Sequence, residues 1–204
     1  MEATLWAPAL LTAVAIAAHL WADARGWRAA RALAKGLASA GFLLVAVLRL
    51  APDRYGLLVL AGLALSAAGD LALLGRAQAA FLAGVGAFLA AHVAYTIAFA
   101  PRAAPSLLAM ALLACVAGFA VHRLWPRLGA LRIPVLAYAG AISLMLLLAL
   151  GVPDRRVQLG ATLFYLSDLA VARDRFLAPG PANRLVGLPL YYAGQLLLAA
   201  TAGG

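Results

Sequence analysis

Eight apolar runs of about 20 residues, separated by short charged stretches, constrain this chain more than any other feature. A helix of that length is what the hydrocarbon core of a bilayer demands. The runs cover residues 4–22, 33–50, 55–74, 80–100, 105–123, 131–150, 156–172 and 185–202. No connection between them is long enough for a soluble domain, so residues 1–204 read as a single integral membrane domain of eight transmembrane helices. Composition agrees: 66% of the residues are hydrophobic and 11% are charged, far from the balance of a soluble globular protein.

The net charge of +9 reports topology. Basic residues form neither a run nor a patch with interleaved aromatics, which argues against nucleic acid as a partner. They sort instead by side. Arg25, Arg28, Arg31, Lys35, Arg76, Arg123, Arg127, Arg132, Arg173, Arg175 and Arg184 fall at one set of alternate connections, whereas Arg49, Arg54, Arg102, Arg155 and Arg156 fall at the other. The positive-inside rule makes the richer side cytoplasmic and puts both termini outside, as expected for a multi-pass protein of the cell's inner membrane. Ala22-Asp23-Ala24 resembles a signal cleavage site, but Glu2 and the absence of a basic residue ahead of a long apolar run favour a retained first helix. The single cysteine, Cys115, excludes an intramolecular disulfide and reads as a small packing residue.

Polar groups inside the runs are the candidates for function, because they are expensive in hydrocarbon. Asp70 stands in Ser66-Ala67-Ala68-Gly69-Asp70-Leu71-Ala72, and Asp168 in Phe164-Tyr165-Leu166-Ser167-Asp168-Leu169-Ala170. Asp70 precedes the inner end of its run at Leu74 by four residues, roughly 6 Å along a helix. Asp168 is within about a turn of its own inner end. Both carboxylates therefore fall at the depth of the glycerol linkage of an inner-leaflet lipid.

A short internal repeat joins them. Gly69-Asp70-Leu71-Ala72 aligns with Ser167-Asp168-Leu169-Ala170, Phe81-Leu82 with Phe176-Leu177, and Tyr95 with Tyr192. Parallel repeats of four helices about an axis along the membrane normal would bring equivalent residues around that axis. His92, Tyr95, Tyr138, Tyr191, Tyr192 and Gln195 lie in the neighbouring runs as hydrogen-bonding groups that hydrocarbon cannot supply. Tyr138 reads equally as a pocket residue or as a packing tyrosine. Lys35 reads either as a snorkelling anchor or as a phosphate contact, with Ser39 one turn deeper. His19 and His122 read as interfacial residues.

Absences narrow the chemistry. The sequence has no G-x-S-x-G elbow, no H-E-x-x-H pair and no P-loop, and Gly84-Val85-Gly86 reads as helix packing rather than a dinucleotide fingerprint. Three histidines at different depths do not make a zinc site. A metal held by Asp70, Asp168 and His92 is the lesser alternative, and no metal or cofactor is expected. What remains is a pair of buried carboxylates, an arrangement able to hold one group as an acid and the other as a base.

The ordered set Gly69-Asp70, Ala91-His92-x-x-Tyr95, Pro134-Val135-x-x-Tyr138, Ser167-Asp168 and Tyr191-Tyr192-x-x-Gln195, on eight runs, resembles the YhhN family of lysoplasmalogenases. One departure is Lys35-Gly36, where the family usually has Lys-Pro. The resemblance implies an ether-bond hydrolase that converts lysoplasmenyl-ethanolamine or lysoplasmenyl-choline to a fatty aldehyde and a glycerophospho-base. A vinyl ether hydrolyses by protonation of its β carbon and capture of the oxocarbenium ion by water, which asks for an acid, an anion and a base. Asp70 and Asp168 are the expected catalytic pair, with His92, Tyr95, Tyr138, Ser167, Tyr191, Tyr192 and Gln195 orienting and Lys35 or Arg173 holding the phosphate. The expected partners are the lysophospholipid substrate and membrane lipids. The competing readings are a structural or assembly membrane protein, which would tolerate Asp70→Asn, and a proton-coupled transporter, which would need a polar path through the outer halves of the runs; those halves are almost wholly apolar.

Overall fold

The computed structural model of the protein describes residues 3–75 and 77–204, so Glu2 and Arg76 lie outside the described residues. Eight α-helices account for most of them: α1 (Ala3–Ala24), α2 (Arg28–Arg49), α3 (Arg54–Ala72), α4 (Gln78–Phe99), α5 (Leu107–Leu124), α6 (Arg132–Gly151), α7 (Arg155–Phe176) and α8 (Pro181–Ala199). Short 3-10 turns at Ala100–Arg102, Trp125–Arg127 and Gly129–Leu131 are the remaining elements, and the described residues contain no strand. The first six helices are long and apolar enough to cross a membrane, which makes this a multi-pass membrane protein. The last two match them in length, at 22 and 19 residues, but carry more polar side chains.

Local chemistry sets the helix starts. Asp53 and Ser106 cap α3 and α5 by accepting from the backbone N–H of Gly56 at 2.7 Å and Ala109 at 3.1 Å, and Asp154 caps α7 by accepting from Arg156 N–H at 2.7 Å. Pro181 opens α8, where its missing N–H costs nothing. Several helices run past the apolar stretches that announce them. The connection expected from Arg173 to Arg184 shrinks to residues 177–180, because α7 continues through Phe176. Likewise Arg28 and Arg31, expected in a loop, belong to the first turn of α2. Bilayer thickness bounds the apolar stretch but not the helix, whose backbone satisfies its own hydrogen bonds as readily in the headgroup layer.

Three hairpins, α1 with α2, α3 with α4 and α7 with α8, form the most extensive contacts, and α6 packs against α4 and α7. The α7–α8 pair approaches closely at glycine: a Cβ on Gly194 would meet the carbonyl oxygen of Gly160 at 2.8 Å. Small residues permit such close approach of two helix backbones. Gly84 serves α4 similarly against Leu73 of the α3 end, whereas Gly86 faces open space. Helix α5 is peripheral, resting chiefly on α6 with only Leu113 and Leu124 buried. Cys115 on that helix is exposed, not packed as the sequence suggested; α5 presents most of its surface outward. His19, expected at an interface, is buried, with Nδ1 2.9 Å from the Arg31 carbonyl.

Candidate active site

Asp70 occupies the last turn of α3, and its side chain is almost completely buried. The preceding Gly69 is where the ring of Phe88 from α4 presses on α3, since an added Cβ would sit 2.7 Å from that ring. Four donors converge on the carboxylate. Lys35 Nζ lies 3.1 Å from Oδ1, while Oδ2 accepts from Ser39 Oγ at 2.8 Å, Tyr191 Oη at 2.8 Å and Tyr192 Oη at 3.3 Å. An ion pair removed from water persists only when its remaining valences are satisfied in this way. Lys35 itself is 8% exposed, so its ammonium turns inward to Asp70 instead of snorkelling to the surface.

Asp168 is held differently. Its Oδ2 accepts from Tyr138 Oη at 2.6 Å and lies 3.3 Å from His92 Nε2, which is also 3.1 Å from Tyr138 Oη. Its Oδ1 bonds to no described residue. His92 has no solvent exposure, packs against Phe164 at 4.7 Å between ring centroids, and leaves Nδ1 buried without a hydrogen bond. The imidazole thus reaches the carboxylate by its one engaged nitrogen. Phe164 also contacts Tyr191 at 5.4 Å and Phe88 at 6.2 Å in edge geometry, so its ring touches a member of each polar cluster, His92 and Tyr191.

The bonding runs crosswise between hairpins. Asp70 on α3 receives tyrosines from α8, and Asp168 on α7 receives the histidine from α4. Each also takes donors from one further helix, α2 for Asp70 and α6 for Asp168.

Both carboxylates line one cavity of about 320 Å³, together with Lys35, Tyr138 and Tyr191. Ser39, Tyr192 and His92 stand behind this lining. One wall is apolar, drawn from Val85 and Phe88 on α4, Ala117 and Ala120 on α5, and Val135 and Ile142 on α6. At the end of the bundle where α1 meets α2 and α7 meets α8, the lining turns ionic. Arg31 pairs with Asp23 at 3.1 Å, and Arg184 pairs with Asp23 at 3.0 Å and Asp174 at 3.8 Å. Arg175 lies 4.4 Å above the ring of Phe81 beside them. The cavity thus combines an apolar wall, two carboxylates and an end lined by paired arginine and aspartate side chains.

Other anticipated residues fall elsewhere. Tyr95 Oη donates to Gln195 Oε1 at 2.9 Å, and Gln195 Nε2 donates to Ser66 Oγ at 3.2 Å, in a buried network that does not line the cavity. Ser167 lines the cavity, but its hydroxyl is turned back to the Phe164 carbonyl at 2.8 Å. Arg173 donates to Asn183 Oδ1 at 2.7 Å and is absent from the lining. Among the described residues no three His, Cys, Asp or Glu side chains converge as a metal site. Arg31, Ser39 and Arg184 join the site without having been expected there. Arg31, Lys35 and Ser39 recur every four residues, which places them on one face of α2, and that stripe was the available signal.

The profile of the YhhN family matches residues 30–202. Among curated proteins, the chain is similar to lysoplasmalogenase TMEM86A of Bos taurus, 34% identical over 155 residues that make up 71% of this chain and 64% of that protein. Lysoplasmalogenase TMEM86B of Homo sapiens is 36% identical over 170 residues, 81% of this chain and 71% of that protein. A lysoplasmalogenase of Mycobacterium tuberculosis is 36% identical over 135 residues, 59% of this chain and 50% of that protein. The chain spans less than two thirds of the length of the Bos taurus protein, at 64%, and of lysoplasmalogenase TMEM86B of Sus scrofa, at 58%. No solved structure matches. With a family profile that runs through seven of its eight helices, the chain belongs to the YhhN family.

Proposed function

We propose that the protein is a lysoplasmalogenase, an enzyme that hydrolyses the vinyl ether of lysoplasmenyl-ethanolamine or lysoplasmenyl-choline to a fatty aldehyde and glycerophosphoethanolamine or glycerophosphocholine. One observation carries the reading: Asp70 and Asp168 open on a single cavity that is apolar on one side and arginine-lined at its mouth. A single-chain lipid has that polarity, with its scissile bond between chain and headgroup. Proton transfer at the site that the two aspartates line supplies the chemistry, with Tyr138 and His92 orienting Asp168 and Tyr191 and Tyr192 orienting Asp70. The names of the similar proteins support the same activity.

The membrane arrangement belongs to this proposal. Helices α7 and α8 cross the bilayer with the other six, their polar residues spent on the cavity, on each other and on the ends. Residues 1–204 form one domain, with both termini outside and the cavity mouth on the cytoplasmic side of the inner membrane, where the basic residues concentrate. The crosswise bonding of Asp70 and Asp168 supports a parallel repeat of four helices. Cavity-lining residues come from one end of the bundle, which favours a site open to one side over a transport path.

The test is aldehyde release from lysoplasmenyl-ethanolamine by the purified protein in detergent, with the ester-linked lysolipid as control. Release from the vinyl ether alone supports the assignment. A folded protein that binds the lipid and releases no aldehyde refutes it.

A further inference from the structure

We propose that the two aspartates have unequal tasks: Asp168 transfers the proton through its uncommitted Oδ1, whereas Asp70 is a positioning residue that fixes Lys35 as a ligand for the substrate's phosphate. This rests on the lysoplasmalogenase reading and divides its labour.

Hydrogen-bond capacity separates the two groups. Asp70 accepts from three hydroxyls and one ammonium, with Oδ1 and Oδ2 both engaged. Both oxygens of that carboxylate are already engaged, one of them by the cation beside it, which leaves it less able than Asp168 to serve a substrate. Asp168 has its two donors on Oδ2 alone, so Oδ1 remains for the reacting atoms in a residue that lines the cavity. In the cycle the Oδ1–H of Asp168 passes its proton to the β carbon, whose π pair becomes the new C–H bond as the ether oxygen shares charge with the α carbon. Water adds at the α carbon and gives a proton to Oδ1, which restores the acid. The hemiacetal then breaks its bond to the glycerol oxygen, with its hydroxyl proton moving to that oxygen, and aldehyde and alcohol leave. Nothing is oxidised or reduced.

Lys35 contributes differently. Its ammonium has three protons and one partner among the described residues, Asp70 Oδ1. One helical turn away on the same face of α2, Arg31 also lines the cavity, and its Nε is buried without a partner. A phosphate oxyanion is the acceptor that satisfies both, since ammonium and guanidinium N–H groups form strong bonds to it. Asp70 thereby sets where the cation sits, and the Lys35–Asp70 pair acts on binding rather than on the proton.

The experiment compares lysoplasmenyl-ethanolamine with 1-alkenylglycerol, which has the same vinyl ether and no phosphate. Full-length wild type, Asp168→Asn, the double variant Lys35→Met/Asp70→Asn and Arg31→Gln are assayed in detergent, with thermal unfolding as the folding control. The double variant removes both buried charges together and leaves neither unpaired. Asp168→Asn is expected to lower kcat on both substrates by about a thousandfold, the scale of a lost general acid. The double variant is expected to keep kcat within about tenfold while KM rises about thirtyfold for the phosphate-bearing substrate only, a change of about 2 kcal/mol in binding. A double variant whose kcat falls as far as that of Asp168→Asn, or whose KM rises equally for both substrates, overturns the division. If the double variant fails to fold, Arg31→Gln decides: a selective KM rise supports the phosphate site, and an unchanged preference for the phosphate-bearing substrate overturns it. Wild type that releases aldehyde from neither substrate overturns the lysoplasmalogenase reading itself, and the division with it.

Discussion

Asp70 and Asp168 open on the same cavity yet share no hydrogen-bond donor. The sequence suggests a carboxylate pair in one site, one group held as an acid and the other as a base. The molecule has an ion pair embedded in hydroxyls at Asp70 and a Tyr–His-supported carboxylate at Asp168. Their difference in environment is what makes separate tasks feasible.

Tyr138 is the shortest contact of Asp168, at 2.6 Å. Tyr138→Phe leaves His92 as the sole donor to Oδ2, and the carboxyl loses its fixed rotamer. We expect kcat to fall about tenfold, or about 1.4 kcal/mol in barrier, with KM little changed. Initial rates across a substrate series measure the split; an unaltered kcat would remove Tyr138 from the site.

Tyr95 lies outside the cavity lining and supports Gln195. Tyr95→Phe strands the Gln195 carbonyl in a buried setting, at a cost of about 1–3 kcal/mol in stability. The unfolding temperature in detergent should drop, while aldehyde release per folded molecule stays within about twofold. A large loss of rate at unchanged stability would tie this network to catalysis.

Glycine contacts offer a paired comparison. Gly194→Ala drives a Cβ against the Gly160 carbonyl and the Phe164 N–H, backbone atoms that cannot step aside, so the α7–α8 hairpin should lose about 1–3 kcal/mol. Gly86→Ala meets nothing within 4 Å and should be neutral or stabilising by about 0.4–1 kcal/mol through the unfolded state. Thermal unfolding of the two variants side by side is the check; equal shifts would contradict the packing.

At the opposite end of the bundle from the cavity mouth, Asp154 caps α7 and accepts from the Arg156 guanidinium, which also reaches the Ala200 carbonyl at 3.1 Å. The Arg156 side chain holds the Asp154 carboxyl below the usual carboxylate range, with burial opposing. A group whose folded pKa is depressed contributes stability above its unfolded value, about 3.9, and loses it as pH falls through the lower folded value. Asp154→Ala should therefore be less stable than wild type at neutral pH, by about 1 kcal/mol for the lost cap. The gap should narrow only in strongly acidic solution. Unfolding scans from pH 7 downward test this, and a gap independent of pH would exclude the ionised carboxylate as its source.

Much of this architecture is legible along the chain. Apolar runs marked all eight helices, and carboxylates out of place in them marked Asp70 and Asp168. The partners of those carboxylates were harder to read, because α3 meets α8 and α4 meets α7 through pairings far apart in sequence, and local pattern says little about the rotation of one such helix against another. Lys35 remained ambiguous for a related reason. A long side chain at a helix end can reach either the surface or the core, and only the position of Asp70 decides. Arg173 was an expected phosphate contact and Arg184 was not, yet the continuation of α7 through Phe176 ties Arg173 to Asn183, and it is Arg184 that lines the mouth.

The crosswise bonding also bears on biogenesis. Ribosomal synthesis delivers α3 long before α8, and Tyr191 is separated from Asp70 by 121 positions. Through that interval the nascent carboxylate has Lys35 and Ser39 for company while two of its four donors are still to be made. A polypeptide halted ahead of α8 carries an incompletely satisfied charge within the lipid, the kind of flaw that insertion chaperones and membrane proteases can grip. Arrival of the final helix thus completes the site and, in the same motion, hides the mark of an unfinished protein.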